Sequence, residues 1–296
     1  MSDISVTFRG VRGSHAMPGP TTIRYGGNTT CLEVRAGDRL IIIDAGTGII
    51  SLGKELMRAS GGNPIQCTLL FTHLHHDHNE GLPFFQPVYL PSSRIDMFGP
   101  DPLEEDIGRV LFQSPYFPVE LNELPAVKVL TSVILADTII FEDDHPKLLN
   151  SNRVDYTPDP ERVTVRIFRG KSHPREGIFI YRINYRGKSV VFATDTEGYV
   201  GGDARLIRFA RDADLLIHDA QYTMEDYTGG PVPKQGFGHS TPEMAIEVGR
   251  KANVKRLALT HHDPDATDDI LDEWAEKYAK EWDAVSLARE GMRIDL

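Results

Sequence analysis

Three histidines and an aspartate, His73, His75, Asp77 and His78, fall within six consecutive positions. Neutral imidazole and carboxylate are the usual protein ligands of divalent transition metals, so this set at this spacing points to a metal site. A lone histidine in a polar turn would carry no such meaning. A cation held here would lower the pKa of a water towards ~7 and so supply a nucleophile at neutral pH.

The segment before the motif determines how these side chains can meet. Residues 67–71 are an apolar, β-prone run. Successive side chains of a strand point to opposite faces, so His73 and His75 leave its end on the same side. Asp77 and His78 follow in the turn. His76 points the other way and is left out of the set.

Other elements read more plainly. Residues 4–8 form a first strand. Residues 10–28 are a loop rich in glycine and proline that suits the rim of a site, with Arg12 and Arg24 available to an anion. Strands at 29–34 and 39–44 join through Ala36, Gly37 and Asp38, a hairpin signal, and residues 49–59 read as a helix. A strand at 94–98, a helix at 102–112 and the aromatic Tyr116 and Phe117 come next, the last suggesting a lid or a dimer contact. Glu142, Asp143, Asp144 and His145 read as a solvated acidic turn. Strands at 163–169, 177–185 and 188–193 follow, with His173 and Pro174 after the first of them. A helix at 204–211 and a strand at 213–217 lead to His218 and Asp219. Ser240 or Thr241 caps a helix ending at Lys251, and a strand at 255–260 runs into His261. Residues 267–282 form an amphipathic helix with core positions Ile270, Leu271, Trp274 and Tyr278. Residues 284–296 make a short strand and a tail. No repeat or linker interrupts the chain, so it reads as one domain, 1–296, with an insertion at about 84–162.

With 296 residues, 40% of them hydrophobic and 25% charged, the chain has the composition of a soluble globular protein. Its start carries no signal-peptide pattern. It has no run of about 20 apolar residues, so no membrane span is expected. Cys31 and Cys67 sit in strand-like runs and read as buried thiols in a reducing cytoplasm rather than a disulfide. A net charge of −11 argues against broad electrostatic capture of nucleic acid. It leaves room for an anionic substrate, because bound metals reverse the local sign.

The pattern His73-x-His75-x-Asp77-His78 resembles the signature of the metallo-β-lactamase superfamily. The resemblance implies an α/β fold, the four-layer αββα sandwich, with two divalent metals at one edge of the sheets. It makes His173 a metal ligand, Asp195 the carboxylate shared by both ions, and Asp44 a carboxylate that orients a ligating histidine rather than a ligand itself. Gly238-His239-Ser240-Thr241 and the Leu259-Thr260-His261 strand end are similar to the phosphodiesterase branch, which holds tRNase Z and a cyclic-phosphate phosphodiesterase. In that branch the first of these histidines assists phosphate chemistry and the second completes the second metal. The acidic partner of His239 falls at Asp219, where the branch usually has glutamate.

By this resemblance His73, His75 and His173 hold one ion, Asp77, His78 and His261 the other, and Asp195 bridges. Ions about 3.5–4 Å apart share a hydroxide and clamp a phosphoryl group. His239, held by Asp219, protonates the leaving group, and Asp77 is counted with them as catalytic. Zinc is the expected metal, with manganese or iron able to fill the same ligands. The long arm that grips tRNA in tRNase Z has no counterpart between His173 and Asp195, where a hairpin fits. With the acidic balance, this sets the expectation against tRNA and towards a small anionic phosphodiester, a cyclic nucleotide first. A lactone or carboxyl-ester hydrolase, a single-strand RNA nuclease and a binding module that keeps only the fold are the rivals. A homodimer fits the branch.

Overall fold

Alternation along the strands sorts side chains into separate cores. In the strand Arg39–Ile43, Ile41 and Ile43 face an apolar layer between two sheets, while Ile42 faces the opposite way into a second layer. In Lys188–Ala193, Val190 and Phe192 enter the same central layer and Val191 a third one. Period-two patterning with both faces apolar dictates sheets covered on both sides.

The computed structural model describes residues 2–143, 145–150, 157–173, 177–229 and 232–296; Asp144 and Pro174 lie outside them. One sheet runs β15 (Arg293–Asp295), β1 (Ile4–Gly10), β2 (Cys31–Ala36), β3 (Arg39–Ile43), β4 (Gln66–Leu70), β5 (Arg94–Gly99), β6 (Val127–Ser132). The other runs β14 (Val285–Leu287), β13 (Leu257–Thr260), β12 (Leu215–Asp219), β11 (Lys188–Ala193), β10 (Ile178–Tyr185), β9 (Thr164–Gly170), β7 (Asp137–Ile140), β8 (Lys147–Asn150). Helices α1 (Gly48–Ser60) and α2 (Leu103–Leu111) bury Ile49, Leu52, Leu103 and Ile107 on the outer face of the first sheet. On the second, α3 (Ala204–Phe209), α5 (Pro242–Lys251) and α6 (Asp268–Glu281) bury Leu206, Ala245, Ile246, Leu271 and Tyr278, while the short α4 (Met224–Thr228) lies in a loop. The layers are therefore α, β, β, α, as the sequence led one to expect. Each aliphatic side chain taken fully out of water here contributes ~1.5–3 kcal/mol.

Each sheet is half parallel. β3 to β6 run parallel in the first, and β11 to β14 in the second. Loops leaving the carboxyl ends of parallel strands are where open α/β sheets gather ligand-binding residues. Asp44 follows β3, His73 follows β4, Asp195 follows β11, Asp219 ends β12 and His261 follows β13.

Some elements depart from the sequence reading. Residues 84–162 supply β5 and β6 to one sheet and β7 and β8 to the other. The last three of these strands escaped notice because β7 and β8 have only four residues each and β6 is partly exposed throughout, so none is long enough or buried enough to show a clear period-two pattern. The end of the chain forms two short strands, not one. Ile270, expected in the core, is 40% exposed, while Leu271 and Tyr278 are buried. Cys31 and Cys67 are both free and buried, and burial pushes the Cys67 thiol up to about 12.

Candidate active site

Strand geometry aims the motif as expected. β4 ends at Leu70, and the rings of His73 and His75 lie 4.4 Å apart, edge to face. A short 3-10 turn, His76–His78, then swings Asp77 and His78 inward while His76 stays exposed. His173 arrives from the loop after β9, its Nε2 3.2 Å from His75 Nδ1. Ligand-type atoms of His73, His75, His173 and Asp195 converge within 4.8 Å of one another, and so do those of Asp77, His78, Asp195 and His261. Asp195 belongs to both groups. Its Oδ1 lies 3.1 Å from His78 Nε2, and its Oδ2 3.4 Å from His261 Nε2 and 3.6 Å from His73 Nε2. The structure therefore brings together every ligand candidate named from the sequence.

The donor set fits divalent cations. The Nε2 atoms of His73, His78 and His261 are buried without a hydrogen-bond partner. An orphaned buried polar atom costs ~1–3 kcal/mol, and three facing one shared carboxylate are explained by ions between them. Asp44, Asp195 and His261 hold φ of 61°, 47° and 62°, strained for residues with a side chain, which turns each strand end towards this point.

Outer partners fix the rings. Asp44, fully buried, sits 2.8 Å from His78 Nδ1 and accepts from the Thr72 backbone N–H and hydroxyl. That leaves His78 Nε2 as the inward atom. The Thr30 hydroxyl lies 3.1 Å from His261 Nδ1 and 3.3 Å from the Arg12 carbonyl, and does the same for His261. Electrostatics follow from the crowding. Burial alone would lower His78, but Asp195, Asp77 and Asp44 together hold it well above the usual imidazole range. His73 is driven well below it, first by burial and then by the His78 charge.

His239 stands beside this centre, its ring stacked 5.0 Å from that of His261. Its Nδ1 lies 2.7 Å from Asp219 Oδ2, and Asp219 Oδ1 accepts from the backbone N–H of Ser240 and Gln221. Burial pulls His239 down, yet the charge and hydrogen bond of Asp219, with the charges of Asp195 and Asp77, raise it to about 9. Asp219, His239 and His261 also meet within 4.8 Å, but His239 Nδ1 is already engaged by Asp219. The helix that follows starts with Thr241 capping the Met244 N–H and Pro242 at its first position. A cleft lined by Ser14, His75, Asp77, Asp195, His239 and His261 opens onto both groups.

The glycine-rich loop has a different role from the one its arginines suggested. Arg12 is fully buried and donates to the carbonyls of Gly26, Asp263 and Ala266, so it braces the loop and is closed to a ligand. Arg24 pairs with Asp269 and Asp272 on α6. Gly13 is required where the loop crosses His261, since a Cβ there would lie 2.5 Å from the ring. Ser14 donates its backbone N–H to Asp77 Oδ2. Thr30, Ser14 and Gln221, whose amide reaches the Ser14 hydroxyl, were not singled out from the sequence. Isolated hydroxyl and amide residues carry no spacing signal.

Comparison with known proteins agrees with this geometry. Residues 39–262 match the model of the Beta-lactamase superfamily domain. Ribonuclease Z of Thermoplasma acidophilum is 26% identical over 330 aligned residues, covering 99% of this chain and 98% of that one. The metallo-beta-lactamase fold protein YhfI from Bacillus subtilis superposes with a TM-score of 0.68 at 17% identity, covering 99% of both chains. The short form of human tRNase Z superposes with a TM-score of 0.65 at 22% identity, covering 98% of each. The expectation set against tRNA as a partner is overturned by the full-length similarity to ribonuclease Z. It rested on a whole-chain charge and a missing arm, and neither measures the field at a cleft whose sign bound cations would set.

Proposed function

The chain belongs to the beta-lactamase superfamily and has the metallo-β-lactamase sandwich fold of a hydrolytic enzyme; from that premise we propose that it is a dinuclear metal phosphodiesterase. One observation carries the reading. The imidazole of His239 is held by Asp219 at 2.7 Å beside the two ligand groups. An alkoxide leaving phosphorus needs a proton at the departing oxygen, and His239 is placed to supply it; full-length similarity to ribonuclease Z favours a phosphodiester over a lactone.

In this proposal His73, His75 and His173 hold one ion, Asp77, His78 and His261 the other, and Asp195 both. Zinc is the proposed ion, since imidazole-rich sites suit it; manganese or iron would fit the same donors. When bound, the ions acidify water and neutralise charge on the phosphoryl oxygens. Asp44 and Thr30 hold His78 and His261 with Nε2 inward. Asp219 holds His239 so that its free Nε2 can deliver the proton. We further propose that the two sheets work as one domain, and that the buried unpaired thiols fit a cytoplasmic enzyme. Among the described residues no helix is long and apolar enough to cross a membrane.

The substrate reading favoured by the similarity to ribonuclease Z is an RNA phosphodiester, with a tRNA precursor the first to test. A small diester such as a cyclic nucleotide is the second reading, supported by a cleft of about 370 Å³. Metal-loaded protein should be assayed on a tRNA precursor with a 3′ trailer, on cyclic nucleotides, on bis(p-nitrophenyl) phosphate and on a lactone. Diesters should turn over and the lactone should not. Faster lactone than diester hydrolysis would remove the phosphodiesterase reading.

Asp44→Ala tests the support of the metal centre. Loss of an outer carboxylate costs 10–100-fold in metal affinity in comparable sites. A chelator-competition titration should show a drop of about that size, with a thermal melt to confirm folding. Unchanged affinity would show that Asp44 does not orient His78.

A further inference from the structure

Beyond His239 the structure presents rings and a cation. Tyr222 packs its ring edge-to-face against His239, centroids 5.7 Å apart. Lys234 Nζ lies 5.8 Å from the Tyr222 ring centroid and 5.4 Å from that of Phe237. Phe237, two positions before His239, is 45% exposed. A large aromatic ring left in water costs burial energy, and here it sits on the loop that carries the proposed proton donor.

That loop is fixed. Glu197 accepts hydrogen bonds from the backbone N–H of Gly236 at 2.7 Å and Gly238 at 3.1 Å, and from the Tyr227 hydroxyl at 2.6 Å. The two glycines hold φ of 83° and 94°, a region that other residues rarely adopt.

We propose that Tyr222, Lys234 and Phe237 form a subsite for a nucleoside flanking the scissile phosphate, on the leaving-group side. The inference rests on the phosphodiesterase reading, because it is His239 that marks the leaving side. Every base offers a π-face, so Phe237 takes a base by stacking without reading its sequence. Lys234, held between two rings by cation–π attraction, supplies a positive charge to the sugar–phosphate chain.

The test compares a dinucleoside monophosphate with its two half-esters, adenosine 3′-(methyl phosphate) and adenosine 5′-(methyl phosphate). All three present a similar P–O bond and differ in which nucleoside is present. Metal-loaded wild type, Phe237→Ala, Phe237→Trp and Lys234→Ala are assayed, with metal content measured for each. Phe237→Ala should raise KM for the dinucleoside about tenfold or more relative to the half-ester that lacks the leaving nucleoside. Phe237→Trp should restore it, and Lys234→Ala should give a smaller rise that shrinks with added salt. Variants whose KM ratio between these substrates equals that of the wild type would overturn the subsite alone. A wild type that hydrolyses none of the three while opening a lactone would overturn the phosphodiesterase reading and the subsite with it.

Discussion

Replacing His239 with alanine should slow hydrolysis of an alkyl phosphodiester by roughly 10²–10⁴-fold, the contribution of a positioned general acid, while metal content stays at the wild-type level. His239 is absent from both ligand groups centred on Asp195, and its Nδ1 is already engaged by Asp219 at 2.7 Å. Removing it should therefore leave the ions in place and remove the proton. The loss should depend on the leaving group. A departing p-nitrophenoxide is stable without a proton, so bis(p-nitrophenyl) phosphate should lose less than a methyl or nucleoside diester. That dependence separates an acid from a structural prop, which would slow all substrates alike. The substitution also strips Asp219, fully buried, of its charged partner, and leaving one half of such a pair unmatched destabilises by ~3–5 kcal/mol. A melting curve must accompany the kinetics. Equal losses on good and poor leaving groups would take His239 out of the chemistry.

Asp195→Asn should be more severe still, removing metal and activity together. Asp195 is the one residue common to the group of His73, His75 and His173 and the group of Asp77, His78 and His261, with oxygens facing His78 on one side and His73 and His261 on the other. Asparagine keeps the shape and tolerates the positive φ of 47°, so the backbone is spared. It removes the charge that two cations would share and replaces one acceptor oxygen by an amide donor. Turnover should fall beyond the 10–100-fold typical of a lost outer partner, and elemental analysis should find metal depleted relative to wild type. Since burial and three nearby histidines bear on this carboxylate, loss of its charge also changes apo stability; metal content measured on folded protein is the decisive readout. A variant that retains its full metal complement would show that the carboxylate is not shared.

Much of the site was legible because metal ligation is demanding about residue type and tolerant of nothing else. His73, His75, Asp77 and His78 are readable from spacing alone, since a strand end and one turn fix their mutual placement. His173, Asp195, Asp219, His239 and His261 were identified through resemblance to a family, and the fold brings each of them to the same cleft. Arg12 shows the limit of reading charge from sequence. A guanidinium in a glycine-rich loop looks available, yet three backbone carbonyls from two distant segments consume it. The exclusion of tRNA failed for a related reason, because a sum of charges has no position.

The sequence by itself determined the alternation that makes two sheets with apolar faces, the helix starts at residues such as Thr241, and the ligand chemistry of the His73 to His78 stretch. These depend on neighbours close along the chain, through periods of two or 3.6 residues and single capping bonds. Tertiary structure alone decided that Thr30 meets His261, that Glu197 pins the loop before His239, and that Tyr222, Lys234 and Phe237 line up beyond it. Those contacts join residues brought together only when parallel strands deliver their carboxyl ends to one edge, and no local pattern encodes a meeting between loops that far apart.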